Sequence, residues 1–217
     1  MKAVIFDFDG VLADSLQLNF NIKKIIFEPY GVIPTKQEFI DIWVSPKGKG
    51  KEGTAYFIKL KGLKVKTEKM MATQKPIYEK LFSKDLKMIP GAAELVGRFK
   101  AMNLPLGIVS SNNLYSIKAG LKNFGLEKEF EFIVSPQDCE FIKPHPAPYL
   151  KGVEMFGLSA DQVLVIEDSD TGVNSAKAAG CKVIAIPNEF TEAEDFSKAD
   201  FVAKSIGEIT DQVLRKF

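Results

Sequence analysis

The sequence predicts an α/β fold with a doubly wound parallel sheet and an inserted all-helical cap domain. Two observations predict the sheet: short apolar, often β-branched runs alternate with helical patterns, and polar residues directly follow several of those runs. A third predicts the insert, since residues 14–87 carry amphipathic helical patterns that break the alternation. The predicted domains are therefore a discontinuous core, residues 1–13 and 88–217, and a helical domain, residues 14–87.

The core elements follow from hydrophobic pattern and from glycine stops. Buried strands are predicted at residues 3–9, 104–109, 131–135, 163–167, 182–187 and 200–203. Helices are predicted at residues 92–102, 115–124, 148–156 and 172–179. A glycine follows each of the last three helices, and glycine often ends a helix because it adopts the left-handed conformation at little cost. Alternation of this kind is typical of right-handed crossovers between parallel strands.

Within the insert, helices are predicted at residues 20–27, 37–43, 54–60 and 68–82. Trp43 and the phenylalanines at helical spacing are interpreted as packing residues. The insert leaves the core just after Asp9 and returns near Gly91. We therefore expect it to cover the crevice at the carboxyl ends of the strands, where a cap can close on a ligand and exclude water.

Composition and charge exclude several classes of protein. The chain has 217 residues, 46% of them hydrophobic, which is enough for one sizeable core with an insert. A formal net charge of +1 argues against a nucleic-acid surface, and no apolar run approaches membrane-spanning length. Cys139 and Cys181 fit no disulfide framework, and the single histidine, His145, is interpreted as a turn residue. We expect a cytoplasmic monomer or homodimer with no nucleic-acid or membrane partner.

Two aspartates, Asp7 and Asp9, stand where the first apolar run gives way to a glycine turn. Ionised groups beside an apolar sheet repel each other and lose hydration, so we expect a cation or a reaction to use them. Side chains at i and i+2 of an extended segment point the same way, so both carboxyls are expected to address one ligand. The alternative for such a short motif is a strand that simply ends in a polar turn.

Three later segments carry polar groups that could meet these aspartates. They are a hydroxyl and amide segment after the second predicted strand, a lysine before a proline-rich turn, and an acidic pair after the fourth strand. Their residues are Ser110, Ser111, Asn112 and Asn113; Lys143; and Glu167 with Asp168. Ligands of an open parallel sheet bind beyond the carboxyl ends of its strands, so we expect these groups to converge.

Each segment alone has a simpler interpretation. The hydroxyl and amide segment is also typical of a helix N-cap, because Ser and Asn lead that preference. The lysine is also consistent with a solvated surface residue, and the acidic pair with a strand-to-helix junction near a helix dipole. The joint occurrence of all the segments favours a site.

The ordered set resembles the four motifs of the haloacid dehalogenase superfamily, in its phosphatase and phosphomutase branch. The motifs read Asp7-Phe-Asp9-Gly-Val, Val109-Ser110-Ser111-Asn112, Lys143-Pro144 and Ile166-Glu167-Asp168-Ser169. The chain is most similar to the β-phosphoglucomutase-like and phosphoglycolate phosphatase-like subgroup, which has a helical cap. The resemblance implies a Rossmann-like core and a small phosphorylated metabolite as substrate.

The resemblance, with the residue types, implies a Mg²⁺-dependent phosphatase that works through an aspartyl phosphate. Asp7 is the expected nucleophile, and Asp9 the expected acid and base. Lys143 is expected to balance the charge of the phosphate and of Asp7, and Ser110 to donate its hydroxyl. The expected phosphate ligands are Ser110, Ser111, Asn112 and Lys143. The expected metal site comprises Asp7, Asp9 through its backbone carbonyl, Glu167 and Asp168.

Competing activities remain open. The cap histidine that assists the second aspartate in β-phosphoglucomutase corresponds to Asn19 here, which cannot shuttle a proton, so hydrolysis is preferred over phosphomutase activity. The cap loop offers Lys47, Lys49 and Lys51 in place of an arginine, and these lysines either attract an anionic substrate or are simply solvated. Asp9 argues against a 2-haloacid dehalogenase. The inserted helices argue against a receiver-type phospho-acceptor module.

Overall fold

The computed structural model describes residues 1–45, 48 and 52–217. Lys47, Lys49 and Lys51, the lysines of the predicted cap loop, lie outside this part of the chain. The chain divides into two compact units. The core unit comprises Met1–Asp14 and Lys87–Phe217, and the helical unit comprises Ser15–Leu86.

The core unit is built on a six-stranded parallel sheet. Its strands are β1 (Ala3–Phe6), β2 (Leu106–Val109), β3 (Phe132–Val134), β4 (Val163–Glu167), β5 (Lys182–Ala185) and β6 (Phe201–Val202). They lie in the order β3-β2-β1-β4-β5-β6, and every pair of neighbours is parallel. This arrangement confirms the predicted doubly wound α/β fold.

The helices divide between the two units. The helical unit has α1 (Ser15–Phe27), α2 (Lys36–Phe39), which continues into a π-helical segment Ile40–Val44, α3 (Gly53–Leu60) and α4 (Thr67–Lys84). The core unit has α5 (Ala92–Ala101), α6 (Leu114–Phe124), α7 (Ala147–Phe156), α8 (Asp170–Ala178) and a short C-terminal α9 (Asp211–Leu214). None of the helices in the described ranges is long and apolar enough to cross a bilayer.

Each unit has a hydrophobic interior of its own. All four residues of β1 are fully buried, as expected for a central strand covered by helices on both faces. In the helical unit, aromatic side chains pack together: the rings of Phe27 and Phe57 are 4.7 Å apart, and those of Trp43 and Phe57 are 5.3 Å apart. Trp43 therefore packs against phenylalanines of its own unit.

The first strand is shorter than predicted, because it ends at Phe6 and not at residue 9. The Asp7 N–H still donates to the Ile166 carbonyl at 2.9 Å, but the chain then turns, with the Leu12 and Ala13 N–H groups donating to the Phe8 carbonyl. Asp9 lies in this turn. The predicted strand, residues 3–9, is therefore too long at its C-terminal end, and Asp9 does not share a strand with Asp7.

The two connections to the helical unit run side by side within the core unit. Asp14 N–H donates to the Lys87 carbonyl at 2.8 Å, and Ile89 N–H donates to the Leu12 carbonyl at 2.9 Å. Between them, Ala13 and Met88 form an antiparallel bridge. The chain thus leaves and re-enters the core unit through paired backbone segments.

Candidate active site

The predicted site residues come together at one edge of the sheet. Asp7 follows β1, Ser110 follows β2, and Glu167 ends β4 with Asp168 next in the chain. Because β1 lies between β2 and β4 and all three are parallel, their carboxyl ends are neighbours. Lys143 reaches this edge from the loop between β3 and α7. The structure thus places these five residues together, as the sequence predicts.

Lys143 lies at the centre of the group. Its Nζ donates to Asp7 Oδ1 at 2.5 Å, to Glu167 Oε1 at 2.7 Å and to the Val109 carbonyl at 2.9 Å. An ammonium group has three N–H donors, so the protein uses all of them. Burial opposes the charge of Lys143, but Asp7 and Glu167 outweigh it and raise the lysine pKa above its usual range. Lys143 is therefore a fixed positive charge.

Glu167 is held by protein donors on both carboxylate oxygens. Oε1 accepts from Lys143 Nζ at 2.7 Å and from the Tyr149 hydroxyl at 2.8 Å. Oε2 accepts from the N–H of Asp168 at 2.9 Å, and from the N–H and the hydroxyl of Ser169 at 3.1 and 3.0 Å. Burial favours the neutral acid, but these donors, led by Lys143, hold the pKa of Glu167 below its usual value. Both oxygens of Glu167, a predicted metal ligand, are thus engaged by donors of the protein, and Glu167 orients Lys143.

The other two buried acids are less well compensated. Burial raises the pKa of Asp7 and of Asp168 well above the usual value of an aspartate. The neighbouring carboxylates Glu167 and Asp9 add to this shift at both residues, while the Lys143 ammonium opposes it. One lysine offsets only part of the negative charge that four neighbouring carboxylates carry when ionised. The site is therefore suited to an additional cation.

Two glycines make room for the acids. A Cβ at Gly10 would lie 1.8 Å from Oδ2 of Asp168, and a Cβ at Gly172 would lie 1.7 Å from Oε1 of Glu167. Real Cβ atoms do not approach oxygen so closely. Gly10 also has a φ of +75°, in the left-handed region. Both positions require glycine because the carboxylates lie directly against the backbone.

Asp9 faces the segment that follows β2. Its Oδ2 accepts from the Ser110 hydroxyl at 3.2 Å, and its Oδ1 accepts from Asn112 Nδ2 at 3.0 Å. Ser110 Oγ also accepts from the Asn112 N–H at 3.0 Å. Asn113 is the N-cap of α6, and its side chain accepts from the Ser116 N–H at 2.9 Å. The N-cap interpretation therefore holds for Asn113, while Ser110 and Asn112 contact the second aspartate.

Ser111 and His145 contribute less to this network. Ser111 is exposed, and its backbone N–H donates to no described residue. His145 is a turn residue: its N–H donates to the Ile142 carbonyl at 3.0 Å, and its Nδ1 accepts from the Ala147 N–H at 3.1 Å. The ring of His145 stacks on Phe141, with their centres 4.4 Å apart.

Two residues of the site were missed by sequence reasoning. Tyr149, on α7, is fully buried; besides its hydrogen bond to Glu167, its ring lies 4.7 Å from Lys143 Nζ. Asn188, after β5, donates from Nδ2 to Oδ2 of Asp168 at 2.8 Å. Tyr149 carries no sequence signal, because its helical spacing is that of an ordinary core residue. Asn188 does carry one, since it follows a predicted strand at the same edge of the sheet.

The free carboxylate oxygens fit a magnesium-type ion. No residue in the described ranges donates to Oδ2 of Asp7 or to Oδ1 of Asp168. Mg²⁺ is usually held by one or two carboxylates and keeps several waters, so two such oxygens are an appropriate donor set. Among the described side chains, no three His, Cys, Asp or Glu residues are grouped so as to hold a metal by themselves. An ion here would therefore depend on main-chain oxygen and water as well.

The chain is similar to several known proteins over nearly its whole length. A family model for haloacid dehalogenase-like hydrolases matches residues 4–186. YhcW of Bacillus subtilis is 30% identical over 212 residues, which are 96% of this chain and 94% of that protein. A phosphorylated carbohydrates phosphatase of Thermotoga maritima is 30% identical, and the match covers 94% of this chain and 93% of that one.

Solved structures share the fold. A β-phosphoglucomutase from Clostridium difficile superposes with a TM-score of 0.77, covering 100% of this chain and 96% of its own, at 21% identity. The family model spans the first, second, third and fourth motifs, from Asp7 to Asp168. The resemblance drawn from those motifs is thus confirmed: the chain belongs to the haloacid dehalogenase-like hydrolase family, as an enzyme of its phosphatase type.

Proposed function

We propose that this enzyme is a Mg²⁺-dependent phosphatase that hydrolyses small phosphate monoesters through an aspartyl phosphate on Asp7. The observation that carries the proposal is the position of Lys143, whose Nζ lies 2.5 Å from Asp7 and 2.7 Å from Glu167 at the ends of adjacent strands. A buried lysine fixed against one carboxylate keeps that carboxylate oriented and favours its ionised, nucleophilic form.

The chemistry takes two steps. An Asp7 carboxylate oxygen attacks phosphorus, forming an O–P bond while the bond from phosphorus to the ester oxygen breaks. Asp9 gives a proton to the departing alcohol oxygen, and then removes a proton from the water that attacks the aspartyl phosphate. This second attack releases inorganic phosphate and restores both aspartates.

The segment after β2 supplies donors for the phosphoryl oxygens. Ser110 and Asn112 now donate to Asp9, and they are placed to exchange that acceptor for a phosphoryl oxygen when a substrate is bound. The Ser111 backbone N–H has no protein acceptor among the described residues, and so remains available to an anion. Charge spread over three equatorial oxygens of the transition state is stabilised by such fixed donors and by the Lys143 charge.

We assign the metal site to carboxylate oxygens of Asp7 and Asp168, with the backbone carbonyl of Asp9. Glu167 is left out of this set because five donors occupy its oxygens. When bound, the ion supplies positive charge that draws phosphate to the acids and offsets the negative charge of the transition state. The raised pKa values of Asp7 and Asp168 support a cation at this place.

The names of the relatives indicate which substrates to test first. The Thermotoga maritima relative is named for phosphorylated carbohydrates, so sugar phosphates are the first compounds to test. A panel should also include phosphoglycolate and small polyol phosphates. Substrate selection is assigned to the helical unit, which is inserted between the first motif and the rest of the core unit.

Phosphate release over this panel tests the proposal. We expect Mg²⁺-dependent turnover by the wild type and its loss in Asp7→Asn. Asp161→Asn is the matched control, because it makes the same substitution at an exposed residue outside the site. No release from any monoester would contradict the proposal, as would an Asp7→Asn variant with wild-type turnover.

Phosphomutase activity is the second candidate, favoured by the likeness in fold to β-phosphoglucomutase. It would interconvert hexose phosphate isomers with a bisphosphate primer and release little phosphate. Following the hexose phosphates and the released phosphate in one reaction distinguishes the two activities. We expect release to exceed interconversion.

A further inference from the structure

Asn188 contacts the side-chain carboxylate of Asp168, one of the acids that we assign to the metal site. Its Nδ2 donates to Oδ2 of Asp168 at 2.8 Å. It belongs to the loop that follows β5, the strand next to β4 in the sheet. This loop is outside the four motifs that identify the family. Its contact with Asp168 therefore calls for an explanation of its own.

The Asn188 side chain is fixed in one orientation. Its Oδ1 accepts from the Phe190 N–H at 2.9 Å. An amide has its oxygen on one side and its nitrogen on the other, so with Oδ1 engaged by a backbone donor the NH₂ group must face Asp168. The backbone of Asn188 is pinned as well, since its N–H donates to the Thr191 hydroxyl at 3.1 Å and its carbonyl accepts from the Thr191 N–H at 3.0 Å.

The contact also fixes where the Asp168 carboxylate lies. A Cβ at Gly10 would come 1.8 Å from Oδ2 of Asp168 and 2.9 Å from Nδ2 of Asn188. The amide and the carboxylate therefore both lie against the backbone of Gly10, the residue after Asp9. With Oδ2 held in this way, Oδ1 is the oxygen of Asp168 that receives no donor from the described residues.

We propose that Asn188 is a positioning residue for the divalent cation, which it serves by holding Oδ2 of Asp168 and leaving Oδ1 free to bind the ion. This inference rests on the proposed function, because it takes the metal site from there. The amide NH₂ group donates to the ionised carboxylate, which is the form that binds a cation. Residues that hydrogen-bond a metal ligand typically change metal affinity about 10- to 100-fold when they are replaced.

Mg²⁺ binding to the substrate-free protein provides the test. Titration calorimetry with Mg²⁺ alone is expected to give a dissociation constant about 10- to 100-fold weaker for Asn188→Leu, which keeps the size of the side chain and removes its donor. Thr191→Val removes the hydroxyl that holds the Asn188 backbone and is expected to weaken binding less. Glu192→Gln is the control, because it changes an exposed side chain of the same loop that does not contact Asp168.

The Mg²⁺ dependence of phosphate release distinguishes a positioning role from a purely structural one. A positioning role predicts that Asn188→Leu needs more Mg²⁺ for half-maximal phosphate release, with kcat at saturating Mg²⁺ within a few-fold of wild type. Circular dichroism checks the folding of each variant, and Thr191→Val supplies the test if Asn188→Leu does not fold. Equal Mg²⁺ affinity in the wild type and both variants would overturn the inference alone. No Mg²⁺ binding by the wild type would overturn the proposed function together with the inference.

Discussion

Lys143 of the core unit and Lys23 of the helical unit are both buried, but their surroundings differ. Lys143 contacts the carboxylates of Asp7 and Glu167. Lys23 donates to the neutral oxygens of Thr54 at 3.0 Å and Gln74 at 3.1 Å, and no carboxylate in the described part of the chain pairs with it. Burial lowers the pKa of Lys23 to about 8, whereas the two carboxylates raise the pKa of Lys143 above its usual range.

The two lysines show that the effect of burial on a positive charge depends on whether carboxylates lie beside it. Burial alone disfavours the ammonium ion, so Lys23 destabilises the folded helical unit while it is protonated. Paired carboxylates reverse the effect, and Lys143 becomes a permanent charge that the proposed chemistry requires. Substitution of the two lysines by the same residue should therefore have opposite consequences.

The largest expected effect is that of Lys143→Met. We expect phosphate release to fall about a thousandfold or more, because a fixed charge at the reacting phosphate is lost. We also expect the free energy of unfolding to fall by about 3 to 5 kcal/mol, since two buried carboxylates lose their partner. Phosphate-release assays and urea unfolding followed by circular dichroism measure the two effects. Lys23→Met is the matched control for activity, and a Lys143→Met variant within tenfold of wild type would contradict the proposed role.

Lys23→Met is expected to stabilise the helical unit by about 1 to 2 kcal/mol at pH 7. The shift from 10.5 to about 8 corresponds to roughly 3 kcal/mol, from which the lost hydrogen bonds to Thr54 and Gln74 subtract. The fluorescence of Trp43 measures this effect selectively, because it is the single tryptophan and its ring lies 5.1 Å from Lys23 Nζ. A lower unfolding midpoint for the variant would show that the hydrogen bonds of Lys23 to Thr54 and Gln74 outweigh the cost of burying its charge.

The advantage of Lys23→Met is expected to shrink as pH rises. Between about pH 8 and pH 10.5 the folded wild type has released the Lys23 proton while the unfolded chain still holds it. The unfolded state then binds more protons, so the stability of the wild type increases with pH relative to the variant. Trp43 unfolding curves of both proteins at pH 7, 8, 9 and 10 measure the difference. A constant difference over this range would exclude Lys23 as its source.

Tyr149→Phe is expected to have the smallest effect. It removes one of the five donors to Glu167 and keeps the ring beside Lys143. We expect a loss of about 1 kcal/mol in the free energy of unfolding and a fall in kcat of less than about tenfold. Phosphate release and urea unfolding measure it, with Tyr115→Phe, at an exposed tyrosine, as control. A loss of activity as large as that of Lys143→Met would mean that Tyr149 contributes more than the orientation of Glu167.

Much of the core and of the candidate site could be predicted from the sequence. Asp7, Ser110 and Glu167 directly follow apolar runs, and parallel strands bring such positions to one edge whatever the details of packing. The C-terminal bound of β1 could not be predicted, because Phe8 is as apolar as a strand residue although its carbonyl accepts the hydrogen bonds of a turn. Apolar composition does not distinguish a strand from a buried turn.

The residues that orient the acids could not be predicted, because their roles depend on tertiary contacts. Tyr149 looks like any helical core residue, and only the fold brings its hydroxyl to Glu167. The hydrogen bonds to both oxygens of Glu167 could not be predicted either, since the donors come from the loop before α7, from α7 and from the residues that directly follow Glu167. Sequence reasoning located the acids. It could not show which carboxylate oxygens already accept hydrogen bonds from other groups of the protein.

The helical unit is one continuous insertion, Ser15–Leu86, and the backbone segments on either side of it are bridged at Ala13 and Met88. Because these residues are bridged in antiparallel fashion, a two-residue hairpin turn of the Asn-Gly type matches the geometry needed to join the flanking backbone after excision of Ser15–Leu86. A core-only variant and chimaeras with other inserts would therefore be joined at the same position. The bridge lies outside the six strands of the sheet, so an insert can be exchanged there without changing the residues of any strand.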